Sequence, residues 1–498
     1  VTDIELVGDP KMTTFVNTGI RVQSMLIALF LISALTAADA DQSLIRAVKN
    51  QDGDTARALI ARNVDVNTPQ VDGATALHWA VHRDDLETAK LLLAAGADVD
   101  AVNDIGVMPL SLACENGSAS MVETLLNAGA DSNAVLMTGE TVLMRASFSG
   151  DLDTVDLLLE HGADVNAKEP VRKQSALMWA LDRQRMSVVR HLVQHGADVH
   201  APTTLGFTPL MFAARHGSVE AATLILDADA DVNATNTDKL SVLHVAVQRG
   251  HGTVAALLLE RGADPNADGP GYTALHWAVG TWDTELTGRN GMTAPKGHAW
   301  ERLNGVKDGK GELVNALLEA GADPNAVLVT NPKVWGYTIA LPAPNSRPMT
   351  LAAYAGEGEI VQLLAKHGAD VSLRPDNDFT TLMIAAGASR ISWISRVTED
   401  EAVETAKAVL EIGADVNEKN GAGNTALHEA AKKGSTKLVQ FLVDYGADME
   451  AKNGRGQRAI DVSRFDADHQ GLPENIGKRP PVRELLQELS ALSKATKL

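Results

Sequence analysis

Apolar positions along this chain follow two helical rhythms in alternation. Short phrases such as ATALHWA from residue 74, FTPLMFA from 207, YTALHWA from 272 and NTALHEA from 424 place a threonine ahead of an apolar run. A threonine there caps a helix, its hydroxyl accepting one of the otherwise orphaned backbone N–H groups, so each phrase predicts a short first helix. Leu77, Leu110, Leu210, Leu275 and Leu427 then take its inward position. A second run follows, as in TAKLLL from residue 88, with leucines at the spacing of a second helix. Gly96, Gly129 and Gly162 stop that helix where a positive φ is needed. The DVNA-type phrase after each glycine is expected to turn the chain out and back as a hairpin finger.

The glycine phrase recurs eleven times. Strong copies begin at Gly96, Gly129, Gly162, Gly196, Gly262, Gly321, Gly368, Gly413 and Gly446, with weaker ones at Asn63 and Asp229. Between Gly96, Gly129 and Gly162 the spacing is 33 residues. A period in this range is the signature of a stacked repeat, because no single unit can bury its apolar face alone. The combination of T-x-L-H, a leucine-rich second helix and GADVN resembles the ankyrin repeat from about residue 43 to 489. That resemblance implies an all-α solenoid of about twelve stacked helix-turn-helix units with β-hairpin fingers, a single elongated repeat domain. Residues 43–68 are expected to form an N-terminal cap, carrying Arg46, Lys49 and Arg57 on its helices. The unit from Gly454 onward, ending in VRELLQEL from residue 482, is expected to close the other end. The chain then divides into an N-terminal extension (1–40), regular repeats (41–279), repeats carrying insertions (280–401), and final repeats with the cap (402–498).

Past Gly262 the intervals lengthen to 59, 47 and 45 residues before returning to 33. Three insertions account for this, at about 280–309, 327–347 and 387–401. Long additions to a rigid scaffold are common sites of function. Four of the seven tryptophans, Trp282, Trp300, Trp335 and Trp393, fall in these stretches, as does Tyr337. The other three, Trp79, Trp179 and Trp277, follow the histidine position of T-x-L-H or its variant, where Phe212 also stands. The resemblance implies that this position partly faces the concave groove. These nine aromatic residues are therefore the candidate partner-binding set, since rigid aromatic surfaces commonly anchor binding hot spots.

Composition narrows the chemistry. A net charge of −20 repels phosphate backbones and anionic lipid, so nucleic acid is not an expected partner. The single cysteine, Cys114, excludes an intramolecular disulfide and a thiolate metal cluster, and its place in SLACENG predicts a buried, inert thiol. His78, His244, His276 and His428 all occupy the T-x-L-H histidine, for which the resemblance implies a hydrogen bond between neighbouring turns and no metal role. No G-x-S-x-G, H-E-x-x-H or Walker-type loop is present. His298, Glu301, Asp308 and Glu312 in the longest insertion could meet as an acid/base or metal group. At the N-terminus, Lys11 and Arg21 precede a fourteen-residue apolar run from Met25, followed by Ala38-Asp39-Ala40. This order is that of a secretory signal cleaved near Ala38 or Ala40, and the run falls short of a bilayer span.

The expectation is a non-enzymatic scaffold for protein–protein interaction in the bacterial envelope, periplasmic or secreted. It would be monomeric, without a cofactor, metal or stable membrane insertion, and would bind a protein through the groove and the Trp-bearing insertions. Two alternatives stay open: a small-ligand receptor or enzyme whose pocket the insertions build, and a secreted host-directed effector.

Overall fold

A computed structural model describes residues 43–280, 309–330, 344–388, 397–463 and 482–495. The described residues hold twenty-four helices and no sheet. Contacts divide the chain into two compact units, one ending at Thr237 and one beginning at Asp238.

The first unit is a run of helix pairs: α1 (Ser43–Lys49) with α2 (Gly53–Ile60), α3 (Ala76–His82) with α4 (Leu86–Ala94), and α5 (Pro109–Asn116) with α6 (Ala119–Asn127). It continues with α7 (Val142–Ser149) and α8 (Leu152–Glu160), α9 (Ala176–Asp182) and α10 (Met186–Gln194), and α11 (Pro209–His216) and α12 (Val219–Asp227). First helices pack on first helices, and each pair packs on the next. Leu77, Leu110, Leu143, Leu177 and Leu210 form one column at 0–1% exposure. Leu92, Leu125, Leu158, Leu192 and Ile225 form a second, in the other helix of each pair, at 0%. Each such side chain contributes about 1.5–3 kcal/mol when withdrawn from water.

The second unit repeats the plan: α13 (Val242–Gln248) with α14 (Gly252–Glu260), α15 (Ala274–Val279) with α16 (Lys310–Glu319), and α17 (Pro348–Ala355) with α18 (Gly358–Lys366). After these come α19 (Thr381–Ala385) with α20 (Glu399–Glu411) and α21 (Ala426–Lys433) with α22 (Thr436–Asp444). Last are the short α23 (Ala459–Val462) and the terminal α24 (Val482–Ala495). Helices α15 and α16 pack as one pair although residues 281–308 separate them, and α19 packs on α20 across residues 389–396. The lengthened finger after α16 is closed at its base by Leu328 N–H to Ser346 O at 2.9 Å and Asn345 N–H to Leu328 O at 3.1 Å.

Local chemistry explains the helix ends. Thr141 and Thr380 accept the N–H of Met144 at 3.2 Å and of Met383 at 3.1 Å, the capping anticipated for this threonine. Three second helices start on a carboxylate instead, at Asp52, Asp85 and Asp151: Asp85 accepts Thr88 N–H at 3.1 Å and Thr88 Oγ1–H at 2.6 Å. One glycine is required by closeness as well as by conformation. Gly206 turns at φ +78°, and a Cβ there would lie 2.9 Å from Asn236 Cα and from Thr237 N.

The fingers are turns more than hairpins. Among the described residues only isolated bridges occur, Val135 with Thr141 and Lys168 with Ser175. Side chains link the fingers. The amide of Asn67 donates to Gly96 O at 3.0 Å and accepts Asp98 N–H at 2.7 Å. Asn133 does the same to Gly162 and Asp164, and Asn166 to Gly196 and Asp198. In the second unit Asn266 holds Gly321 and Asp323, Asn325 holds Gly368 and Asp370, and Asn417 holds Gly446 and Asp448. An amide offers both a donor and an acceptor on one planar group and a carboxylate only acceptors, so aspartate cannot replace it fully.

Candidate protein-binding face

The histidine of each T-x-L-H phrase is a clamp. His78 Nδ1 accepts from Thr75 N–H at 3.1 Å, and Thr75 Oγ1 lies 2.9 Å away. Its Nε2 lies 3.0 Å from Val107 O in the next repeat. A carbonyl can only accept, so Nε2 carries the hydrogen and the ring is neutral. His244 reaches Tyr272 O at 3.0 Å, His276 reaches Ala326 O at 3.1 Å, and His428 reaches Gln457 O at 3.0 Å. Burial pushes the pKa of His78 and His244 below the ordinary value and that of His276 down to about 4. All four serve the stack, as the resemblance implied.

The next position was expected to face the groove, and the structure closes it. Trp79, Trp179, Phe212 and Trp277 are only 3%, 7%, 4% and 8% exposed. The same column holds Arg145 and Glu429, also buried at 3% and 4%. The reason is geometric: this residue points between successive first helices, and each ring is covered by its neighbours. Trp79 meets His82 edge-on at 5.8 Å, with the Lys49 ammonium 4.2 Å above its ring. Trp282, Trp300, Trp335, Tyr337 and Trp393 lie outside the described residues, as do His298, Glu301 and Asp308.

What reaches the surface is the residue one helical turn further on. In the first unit that row is His82, Glu115, Phe148, Asp182 and Arg215, all half-buried. Phe148 meets Trp179 edge-on at 5.7 Å and 67°, and the Arg183 guanidinium sits 3.9 Å over its ring. Together with Arg172, Gln174, Met178, Asp182 and Arg215, these aromatics line a shallow concavity with only about 20 Å³ of free space. Asp182 is fixed by His216 Nε2 at 3.1 Å and approached by Arg215 Nη1 at 4.0 Å. Burial works to raise its carboxyl, but the His216 hydrogen bond and the neighbouring Arg215 outweigh it and hold the pKa below the usual range. Beside this patch, Arg145 pairs with Glu140 at 3.0 Å and Glu115 at 3.8 Å. The second unit has its own wider recess of about 570 Å³, with Glu429, Lys432 and Arg455 among its walls.

Cys114 is fully buried and its thiol is pushed up to about 12, which removes it as a nucleophile. One group of metal-capable side chains does come together among the described residues, Asp156, His191 and His195. Sequence spacing shows the two histidines four residues apart; it hides the aspartate, which arrives from the preceding repeat. No helix of the described residues is long and apolar enough to cross a membrane.

Comparison with known proteins matches the description "Ankyrin repeats (3 copies)" to residues 24–103, 87–169, 143–236 and 230–285. "Ankyrin repeats (many copies)" matches residues 409–462. Among solved structures, the human ASB11 ankyrin repeat domain is 30% identical, covering 45% of this chain and 98% of that one, with a TM-score of 0.41. No curated protein matches.

Proposed function

We propose one role for this chain, which belongs to the ankyrin-repeat family, whose repeats are general protein–protein interaction modules. It is a non-enzymatic scaffold that holds a protein partner against the first-helix face, working as a monomer in the bacterial envelope. The observation that carries the proposal is the Phe148 patch: a half-buried aromatic ring held between Trp179 and the Arg183 guanidinium on a shallow concavity with charges of both signs. Aromatic and arginine side chains in such partly enclosed settings dominate binding energy at protein interfaces. Trp79, Trp179 and Phe212 support that face from beneath, and Trp277 and the inserted stretches 280–309, 327–347 and 387–401 of the second unit are proposed to supply partner contacts of their own. The location in the envelope rests on the charged, apolar and small-residue order of the N-terminal forty residues.

A photo-crosslinking residue at position 148 tests the face against one at Lys90 on α4, whose side chain is 52% exposed. Crosslinks to one protein from position 148 and none from position 90 are expected. Equal labelling from both, or none from 148, removes the proposal. Deleting residues 281–308 is expected to weaken capture while the helical circular dichroism persists. N-terminal sequencing of the exported chain should begin just after Ala38 or Ala40.

A further inference from the structure

We propose that Asp156, His191 and His195 form a binding site for a zinc-class divalent cation that joins the second helices of two consecutive repeats. Asp156 stands on α8, His191 on α10, and His195 caps the end of α10. His191 and His195 share one helix face, their ring centroids 4.2 Å apart with a tilt of 46°. His191 Nε2 lies 2.8 Å from Asp156 Oδ1. One ligand atom from each of the three residues falls within 4.8 Å of the others.

The ring of His195 is already set for ligation. Its Nδ1 is 2.9 Å from His191 O, and a carbonyl only accepts, so Nδ1 carries the hydrogen and Nε2 keeps its lone pair. A backbone-anchored imidazole of this kind is the usual way in which a metal-binding histidine is oriented. Tetrahedral zinc with bonds of about 2.0–2.2 Å places its ligand atoms roughly 3.3 Å apart. The His191–Asp156 pair needs to open slightly and His195 to swing inward. His195 is exposed and the Asp156 side chain is 45% exposed, so both motions are side-chain rotations. The cation takes the place of the hydrogen that His191 Nε2 shares with the carboxylate; that proton passes to solvent while Nδ1 takes one up, so the imidazole binds as its neutral other tautomer.

His191 is the one titratable residue in a column that elsewhere carries leucine, alanine, threonine or phenylalanine. Five residues before the turn that ends the second helix, five repeats, including both neighbours, carry Leu91, Leu157, Leu224, Leu257 and Leu363, all half-buried, and the rest carry Ala58, Thr124, Ala316, Ala408 and Phe441. An imidazole there gives up apolar contact that leucine makes, a local departure of the kind that marks functional positions. Two imidazoles and one carboxylate, with the remaining positions open to water, suit zinc, nickel or copper and do not suit calcium or magnesium, which prefer all-oxygen sets.

The full-length chain, stripped with chelator, is titrated with zinc chloride by calorimetry, and with copper(II) under electron paramagnetic resonance. The proposal expects one saturable zinc site, unaffected by excess magnesium, and a copper spectrum split by two nitrogens. His195→Ala and Asp156→Asn are each expected to weaken zinc binding about tenfold or more. His191→Leu is expected to abolish it while retaining the helical spectrum, because leucine is what neighbouring repeats place there. Zinc bound with the same affinity by His191→Leu and His195→Ala as by the parent chain overturns the site, as does the lack of saturable binding at zinc equimolar to protein.

Discussion

Acidification should loosen the second unit first around His276. Its ring is 0% exposed, with Nδ1 2.8 Å from Thr273 Oγ1 and 3.1 Å from Thr273 N, and Nε2 3.1 Å from Ala326 O. Burial is the largest cause of its low pKa; the Ala326 hydrogen bond opposes it, and Arg347 reinforces it. In the unfolded chain the ring takes a proton near pH 6.5, and in the folded chain only near 4. Between those values the unfolded state binds more protons. The stability contributed by the neutral ring is therefore complete above pH 6.5 and is lost as the pH falls toward 4. At pH 4.5 the loss from this one group is about 2–3 kcal/mol, roughly a 30- to 150-fold rise in local opening. Hydrogen exchange followed by mass spectrometry on peptides covering residues 274–279, corrected for intrinsic rates, reads that opening. The control is His276→Met, because Met144, Met178, Met211 and Met383 fill the same place elsewhere at 0% exposure. At pH 7.5 the variant is expected to cost about 1–2 kcal/mol for the lost ring hydrogen bond. Below pH 5 the gap between the two proteins should close. An equal acid-induced loss of protection in parent and variant would refute the assignment.

Two further outcomes follow from single side chains. Asp100 stands where other fingers carry the clamping asparagine; it accepts Asp131 N–H at 3.1 Å and has no N–H to offer Gly129 O. Asp100→Asn should stabilise the first unit by about 1 kcal/mol, and a lower melting temperature for the variant would contradict the clamp. Cys114 is fully buried with its thiol near 12, so the native chain should resist alkylation at pH 8 and label at the rate at which the first unit opens; prompt stoichiometric labelling would show that the packing is wrong.

Much of the fold could be read directly from the residues. Thr141 caps α7, and the finger aspartates satisfy local donors, as Asp98 does for Asp100 N–H at 3.1 Å. His78 bridges to the next repeat and Cys114 is sealed in the core. Each of these depends on a few neighbours in sequence, or on one repeat applied again. The proposed binding face was less visible. Trp79 and Trp179 stand out in the sequence for their size, but size says nothing about whether the adjacent helix covers a ring, and here it does. Phe148, half-buried and more accessible, looks unremarkable without the helix packing that brings Arg183 over it. The Asp156–His191 pair and the asparagine clamps join residues some thirty apart, and only the stacked backbone sets their distance.

The asparagine clamps also separate two lengths that are tied together in most proteins. Asn133 reaches Gly162 across 29 positions, Asn325 reaches Gly368 across 43, and Asn266 reaches Gly321 across 55, all at 2.8–3.0 Å. The pitch from one repeat to the next is therefore indifferent to how much chain is threaded between the two attachment points. A lineage can lengthen or rewrite those stretches, and so change what the surface recognises, without recalibrating the scaffold. A protein engineer has the same freedom: the places where this chain has already accepted extra residues are where foreign sequence can be grafted while the register on either side is kept.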